Sequence, residues 1–558
     1  MPRQSLYRPA KPLSYELSDH SKAYIEANEY ASGYSFLNTL LTSGTSISTP
    51  AKPYFAHLPP PSQISLASTL VVLPSITTRA LSDDDIKGSD AALNYLRTVQ
   101  NTISPLDSSL RTAFTFSDER KRRRFGVSHN VDDETEKISI PSADSQSLWC
   151  RASDFWHVVG WAFNCSVAHK KRWARWKLWL ELMLDLLESE WDACTKKARD
   201  EDADMEGVLM GSIVWHYVSS MNTKSVAHRR RMVRAILAMA TPRSLKDFGE
   251  VWKDETRAPK AKEDVAPMGK IDIDNLKQTY FQRDEEDEVM EDVPSISTRS
   301  SRSRNPMKQS GTDVEEGGDH DEKFVVHSVQ EAIERLGGTD AITMRQRLIA
   351  LLVDVAQALP THFMTLAEIF NTLTEDFINL PTMIFAVLVS TSKLAGIVQM
   401  ALNANLLLPL TPGELPDYTI ITPEQTHLEE YLLPRRANTQ SFAANAKFSL
   451  ILEQMFIYMM STKSLKACES LRFPVETGIK KRHEVHGTAR GRNNNAHEEV
   501  QAKSLMEASS ARLLGLLEVL EIAAGIPSQP KQPSMLLSFT SVVSDELSSP
   551  PDSDTEEQ

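Results

Sequence analysis

Basic residues and tryptophans alternate in one stretch of the chain, just after residue 168. Five bases stand among Trp173 and Trp176: Lys170, Lys171, Arg172, Arg175 and Lys177. Bases neutralise phosphates and aromatic rings stack on unpaired nucleobases, so this pattern could bind nucleic acid. The alternative, which we favour, is that the tryptophans pack inside and the bases face solvent or pair with acids of a neighbouring helix. The five bases are therefore candidates for binding a protein partner or phosphate.

A denser basic run lies earlier in the chain, in polar surroundings. It consists of Arg120, Lys121, Arg122, Arg123 and Arg124. Five adjacent positive charges repel one another and favour a polyanion or an acidic receptor groove. We interpret the run as a nuclear import signal, with an ordinary solvated loop as the alternative. A third cluster, Arg229–Arg231 with Arg234, is a weaker candidate for nucleic-acid contact.

The residue types that bind metals are sparse and poorly spaced. Cys150, His157, Cys165 and His169 are the main candidates, and only Cys165 and His169 are four residues apart. No C-x-x-C pair is present, so we expect no metal site and no cofactor. The sequence also lacks a phosphate-binding glycine loop, a nucleophile elbow and kinase signatures. We therefore expect no catalytic residues and no enzyme, with an enzyme of an unrecognised type as an alternative.

A long helix is expected to carry the basic and aromatic residues. From Trp173 to Trp191, apolar residues recur at steps of three and four, which is typical of one buried helical face. Tryptophan buries more apolar surface than any other residue. We therefore predict a core built on six tryptophans: Trp156, Trp161, Trp173, Trp176, Trp179 and Trp191.

The rest of the chain also has helical patterning, and no alternation long enough to predict a sheet. We expect an all-α fold, either an irregular helical array or an α-solenoid of the HEAT or armadillo type, in two blocks. Helix starts are predicted at Asp154, at Pro242 and after the capping boxes at Ser328 and Thr365. Residues 477–495 are basic and polar, and are predicted to be a loose loop.

Changes in composition predict five regions. These are a partly helical region with proline-rich and basic loops (1–140), a tryptophan-rich helical core (141–254), an acidic and then Ser/Arg-rich disordered linker (255–325), a C-terminal helical domain (326–525) and a disordered acidic tail (526–558). The two helical blocks could also pack on each other, so that the linker is an excursion from one domain.

Composition indicates the cellular setting. The chain has 558 residues, a formal net charge of −14 and 41% hydrophobic residues. Four cysteines do not make a disulfide framework, and the N-terminus lacks the apolar core of a signal peptide. The longest apolar run, 383–402, is interrupted by Lys393 and Gln399, so we expect no membrane span.

Together these features predict a soluble, intracellular, nuclear protein. The predicted function is a non-enzymatic helical scaffold or adaptor in a nuclear assembly concerned with chromatin, genome maintenance or RNA processing. Its expected partners are nuclear proteins in a hetero-complex. The main alternative is a protein that binds nucleic acid directly through the tryptophan-basic helix near 169–177.

Overall fold

The structure is a computed structural model that describes residues 7–49, 51–116, 137–200, 204–219, 225–257, 326–413, 416, 423–487 and 493–526. Within these residues nearly all regular structure is helical, which confirms the all-α prediction. One exception is a short parallel ribbon, β1 (Ala10–Pro12) with β2 (Ala56–Leu58), in which Ala10 is opposite Ala56. Contacts divide the chain into two compact units.

The first unit comprises Met1–Ile103, Asp118–Arg151 and Glu250–Lys323. Its helices are α1 (Tyr15–Glu26), α2 (Tyr30–Thr42), α3 (Pro61–Val72), α4 (Asp83–Thr102) and the short α6 (Leu148–Arg151). Both α2 and α3 pack on α4. A capping box at Ser82 begins α4, because its hydroxyl accepts from the Asp85 amide while the Asp85 carboxylate accepts from the Ser82 amide.

The second unit comprises Ser104–Ser117, Ala152–Gly249 and Phe324–Gln558. Its helices before residue 250 are α5 (Ser108–Ala113), α7 (Phe155–Ala168), α8 (Lys170–Asp200), α9 (Met205–Met210), α10 (Ile213–Ser219), α11 (Val226–Ile236) and α12 (Pro242–Asp247). Those after residue 325 are α13 (Val329–Arg335), α14 (Thr339–Ala358), α15 (Leu366–Ile378), α16 (Thr382–Ser390), α17 (Gly396–Leu407), α18 (Gln425–His427), α19 (Phe442–Ser461), α20 (Glu469–His483) and α21 (Asn493–Ala523).

Helices from both sides of the 258–325 segment pack together in this second unit. α8 contacts α14, and α11 contacts both α14 and α15. The sequence left open whether the two helical blocks pack on each other, and in the second unit these helices do. The predicted disordered linker lies largely within 258–325, outside the described residues.

Several helices begin where side-chain chemistry predicts. The side chains of Asp154, Thr241, Ser328 and Thr365 each accept a backbone N–H in the first turn of α7, α12, α13 and α15. At Thr365 the capping box is complete, since the Glu368 carboxylate also accepts from the Thr365 amide. Such caps satisfy donors that a helix leaves unpaired at its N-terminus.

Buried cations occupy several helix C-termini, where carbonyl groups are left unpaired. Each donates to the carbonyls of the helix end that it covers. The pairs are Arg8 with Leu41 and Ser43 after α2, Lys447 with Ile378 and Leu380 after α15, Arg345 with Ile236 and Ala238 after α11, and Arg482 with Leu433 and Arg435 after the π-helical turn Leu428–Leu432.

The prediction of a loose loop over 477–495 is wrong for residues 477–483. They belong to α20, which buries Val475, Ile479 and Arg482, rather than to a loose loop. Pro474 reads as a helix breaker, yet it lies in the second turn of α20, where it removes one backbone hydrogen bond. Tertiary burial of the apolar face outweighs that loss.

Candidate functional site

The tryptophan-basic stretch lies on α7 and α8, in the core of the second unit. All six predicted tryptophans are buried: Trp156, Trp161, Trp173, Trp176, Trp179 and Trp191 have 7% or less of their surface exposed. The indole N–H of Trp156 donates to the Tyr217 carbonyl at 3.0 Å. Trp176 and Trp179 meet edge to face, with ring centroids 5.9 Å apart. Rings so deeply buried cannot stack on a nucleobase unless the core opens.

The five candidate bases have different surroundings. Arg172 is 2% exposed and lies over the Trp176 ring, with its guanidinium carbon 5.5 Å from the ring centroid. Lys170 donates to the Ser166 carbonyl, and Lys177 forms an ion pair with Asp340 of α14. Lys171 is exposed and Arg175 is half-buried. The structure therefore does not present the five as one solvent-facing phosphate site.

The arginines of α11 contact acids of other helices in the same unit. Arg229 contacts Glu368 at 2.8 Å, and Arg230 contacts Glu375 at 2.6 Å, both on α15. Arg231 contacts the N-cap carboxylate of Asp154 at 2.7 Å. These pairs join α11 to α15 and α7, so they provide a structural reason for this basic cluster.

Acids in the second half of α8 also pair with a base of another helix in the same unit. Arg347 of α14 donates to Glu188 at 2.7 Å and to Asp185 at 2.6 Å. Partial burial alone would lower the pKa of Arg347, but the hydrogen bonds to Glu188 and Asp185 outweigh it and raise that pKa. Together with the Lys177–Asp340 pair, these contacts join α8 to α14 over about three turns of α8.

An open cleft of about 330 Å³ lies beside α10. It is lined in part by Arg111, Thr115, Met210, Ser212, Trp215 and His216. The Arg111 guanidinium donates to the fully buried Glu190 carboxylate at 2.9 Å, and Glu190 also accepts from the Ile213 amide at 2.8 Å. Burial raises the pKa of Glu190, while these contacts oppose the shift. The carboxylate therefore balances the charge of Arg111, which faces the cleft.

Sequence reasoning missed the Arg111–Glu190 pair. The two residues are 79 positions apart, and neither belongs to a motif. Burial of Glu190 within the apolar stripe of α8 is the one available signal, since a carboxylate there needs a partner.

The candidate metal ligands do not form a cluster. Cys150 belongs to the first unit and the other three to the second. His157 Nδ1 accepts from the Ser153 amide and Nε2 lies 3.0 Å from the Gly249 carbonyl, which suits a neutral ring. Burial lowers the pKa of His157. Among the described residues, no group of three or more His, Cys, Asp or Glu side chains could hold a metal ion.

The final helix of the described chain carries an exposed apolar face. Val500, Val519 and Ile522 are 69%, 59% and 67% exposed, although they lie on a 31-residue helix whose opposite face is buried. Nearby on α20, Phe473 is 75% exposed. Exposed apolar surface on a rigid element is typical of protein-interaction sites. Leu513 and Leu517, on the opposite face of this helix, are fully buried.

The predicted import run, Arg120–Arg124, lies outside the described residues. In the part of the chain that the structure describes, no helix is long and apolar enough to cross a membrane. Comparison with known proteins adds no relative: no family model, no curated protein and no solved structure matches this chain.

Proposed function

We propose that this chain is a non-enzymatic helical scaffold in a nuclear protein assembly. The observation that carries the proposal is the contrast between its charged and its apolar groups. Several bases that could bind phosphate contact acids or carbonyls within the second unit, whereas an apolar helix face is open to solvent. Helical arrays offer extended surfaces of this kind to protein partners. The nuclear location rests on the Arg120–Arg124 run alone.

Direct nucleic-acid binding through α8 is the rival function. It would have to use the exposed Lys171 and the half-buried Arg175, because Arg172 is buried, Lys170 donates to the Ser166 carbonyl and Lys177 is paired with Asp340. It would also have to work without stacking on Trp173 or Trp176, which are buried.

A binding titration of the purified chain with single-stranded and duplex DNA, over a range of salt concentrations, tests the proposal against this rival. The scaffold predicts no salt-dependent binding that depends on α8. The rival predicts a plot of the logarithm of the binding constant against the logarithm of the salt concentration with a steep negative slope. For duplex DNA this slope should become shallower by about 1.8 when Lys171→Gln and Arg175→Gln remove two phosphate contacts. Lys480→Gln on α20 is the matched control. A slope change confined to the α8 variant would contradict the scaffold proposal.

A further inference from the structure

The ribbon of β1 and β2 in the first unit has one buried face and one exposed face. Side chains alternate along an extended strand, so Tyr7, Pro9 and Lys11 lie on the same face of the segment that ends in β1. All three are exposed, whereas Arg8 between them is 7% exposed. On β2 the inner face carries the fully buried Ala56. The outer face of the ribbon is therefore open to solvent.

Two aromatic rings and a lysine occupy this outer face. The Ala56 amide donates to the Pro9 carbonyl at 2.9 Å, which places Phe55 beside Pro9. The Lys11 ammonium lies 3.6 Å from the centroid of the Phe55 ring, so these two side chains share the face. Tyr7 and Phe55 are 43% and 41% exposed. We call Tyr7, Lys11 and Phe55 the ribbon face.

Arg8 fixes the two segments that carry the ribbon face. Its buried guanidinium donates over 2.7–3.1 Å to four carbonyls, those of Leu41, Ser43, Tyr54 and Phe55. These bonds join the β1 segment to the end of α2 and to the loop that leads into β2. Because the backbone that carries the rings is already held in place, a ligand that binds them pays less to order it.

The sequence around the ribbon face lacks acids, although 75 of the 558 residues are Asp or Glu. None lies in 1–15 or 30–82, which contain both strands, and none lies in 91–102, the end of α4 that pairs with Arg8. Lys11 and Lys52 are exposed and have no ion-pair partner among the described residues. The nearest acid along the chain is Glu16, in the first turn of α1. The segments that build the ribbon face are thus positively charged and favour an anionic ligand.

Single-stranded nucleic acid has the chemistry that matches these groups. It provides phosphates for lysines and flat bases for exposed aromatic rings. The ammonium over the Phe55 ring is no obstacle, because an exposed cation–π contact is weaker than the stacking of a base on the same ring. The flexible stem of Lys11 then lets its ammonium move to a neighbouring phosphate.

The chain's own segments match the ribbon face less well. Residues 284–292 contain seven acids and 545–558 contain six, but neither segment has an aromatic ring to stack on Tyr7 and Phe55. Residues 534–543 are apolar and include one phenylalanine, but they contain no acid for Lys11. Only a ligand with both flat rings and negative charge satisfies the whole face.

We propose that the ribbon face binds single-stranded nucleic acid, with Tyr7 and Phe55 stacking on bases and Lys11 contacting a phosphate. The site lies on a different unit from α8, and it adds a ligand to the proposed scaffold function rather than resting on it.

Fluorescence anisotropy of the purified full chain with labelled oligo(dT) and oligo(U) of about 15 nucleotides tests the proposal. At least one strand should bind more tightly than a duplex of the same length, and the tighter strand shows whether DNA or RNA is preferred. Tyr7→Leu plus Phe55→Leu should weaken this binding at least tenfold, because leucine is apolar but cannot stack. Lys11→Gln should make the salt slope shallower by about 0.7.

Two matched controls should leave the affinity unchanged. The first is Tyr431→Leu plus Phe473→Leu, which removes a tyrosine and a phenylalanine that are 44% and 75% exposed in the second unit. The second is Lys171→Gln plus Arg175→Gln on α8, which separates this site from the rival function considered above. Circular dichroism checks that each variant is folded.

Three results would overturn the proposal. They are no binding of either single strand, tighter binding of the duplex, and equal losses in the two aromatic variant pairs. Binding that appears only after the acids of 284–292 are replaced with Asn and Gln would also overturn it, because the ribbon face would then hold the chain's own acidic segment. Failure of this site would leave the scaffold proposal standing, since protein partners that survive nuclease do not depend on it.

Discussion

At the scale of single residues, Arg345 shows most clearly how bases are used in this protein. It is fully buried, donates to the carbonyls of Ile236, Ala238 and Leu336, and lies over the Phe163 ring at 4.0 Å from the centroid. Burial lowers its pKa to about 9, so it stays charged at pH 7. It thus joins α14 to the end of α11, across the segment 258–325.

Replacing Arg345 should therefore destabilise the second unit. We expect Arg345→Met to lower the free energy of unfolding by about 3 kcal/mol, because it leaves buried carbonyls without a donor. The control is Arg335→Met, which breaks a half-exposed pair with Glu331 and should cost about 0.5 kcal/mol. Urea unfolding followed by circular dichroism measures both. Equal losses in the two variants would contradict the capping role.

Histidines in the second unit should make its stability depend on pH. Burial lowers the pKa of His157, His228 and His483 below the ordinary value of 6.5. Between the lowered pKa and 6.5, the unfolded chain binds more protons than the folded one. The contribution of these neutral rings to stability is therefore fully present above pH 6.5 and is lost as pH falls. The slope should not exceed about 1.4 kcal/mol per pH unit for each histidine.

Thermal unfolding between pH 7.5 and 5.5 measures this slope. Replacing His157 and His228 with glutamine should flatten the profile, although some stability is lost at every pH because their hydrogen bonds change. A variant that keeps the full wild-type slope would show that these rings do not titrate as described.

At the scale of elements, the sequence predicted helices better than their connections. Caps at Asp154 and Thr365 could be read directly, because capping is local chemistry. The helix α20 was missed, because Pro474 and a run of bases resemble a loop locally, while the burial of Ile479 and Arg482 depends on distant residues. The partners of Arg229, Arg230 and Glu190 were likewise invisible, since contacts across the fold leave no local pattern.

The connection between α13 and α14 offers a matched pair of glycines. Gly337 and Gly338 have φ angles of +91° and +96°, which other residues rarely adopt. A Cβ at Gly337 would also lie 1.9 Å from the Ser166 hydroxyl of α7, whereas a Cβ at Gly338 would meet nothing within 4 Å.

Alanine substitutions should separate strain from steric overlap at this connection. Gly338→Ala should cost about 1 kcal/mol for the backbone alone. Gly337→Ala should cost about 3 kcal/mol, because it adds an overlap with α7 to the same strain. Chemical denaturation of the two variants gives the difference. Similar values would mean that the α13–α14 connection does not pack against α7 as described.

At the scale of the whole molecule, each unit has its own core, and the second unit takes helices from both sides of 258–325. Helical patterning was sufficient to predict an all-α chain, and composition to predict a long central segment of different character. The sequence as a whole had this limit. It could not decide which helices pack together, because that depends on pairs such as Arg347–Glu188 and on the buried face of α8. The function could be predicted even less well from the sequence, since which face of α21 is exposed depends on the helices that pack against it.

The central claim is that this chain works by holding protein partners. Affinity purification of the tagged full chain from its own cells, with and without nuclease and followed by mass spectrometry, tests it most directly. The scaffold account predicts a stable set of nuclear proteins that survives nuclease, with some members lost from the Val519→Asp plus Ile522→Asp variant. Partners that disappear with nuclease, or no partners in either condition, would contradict it.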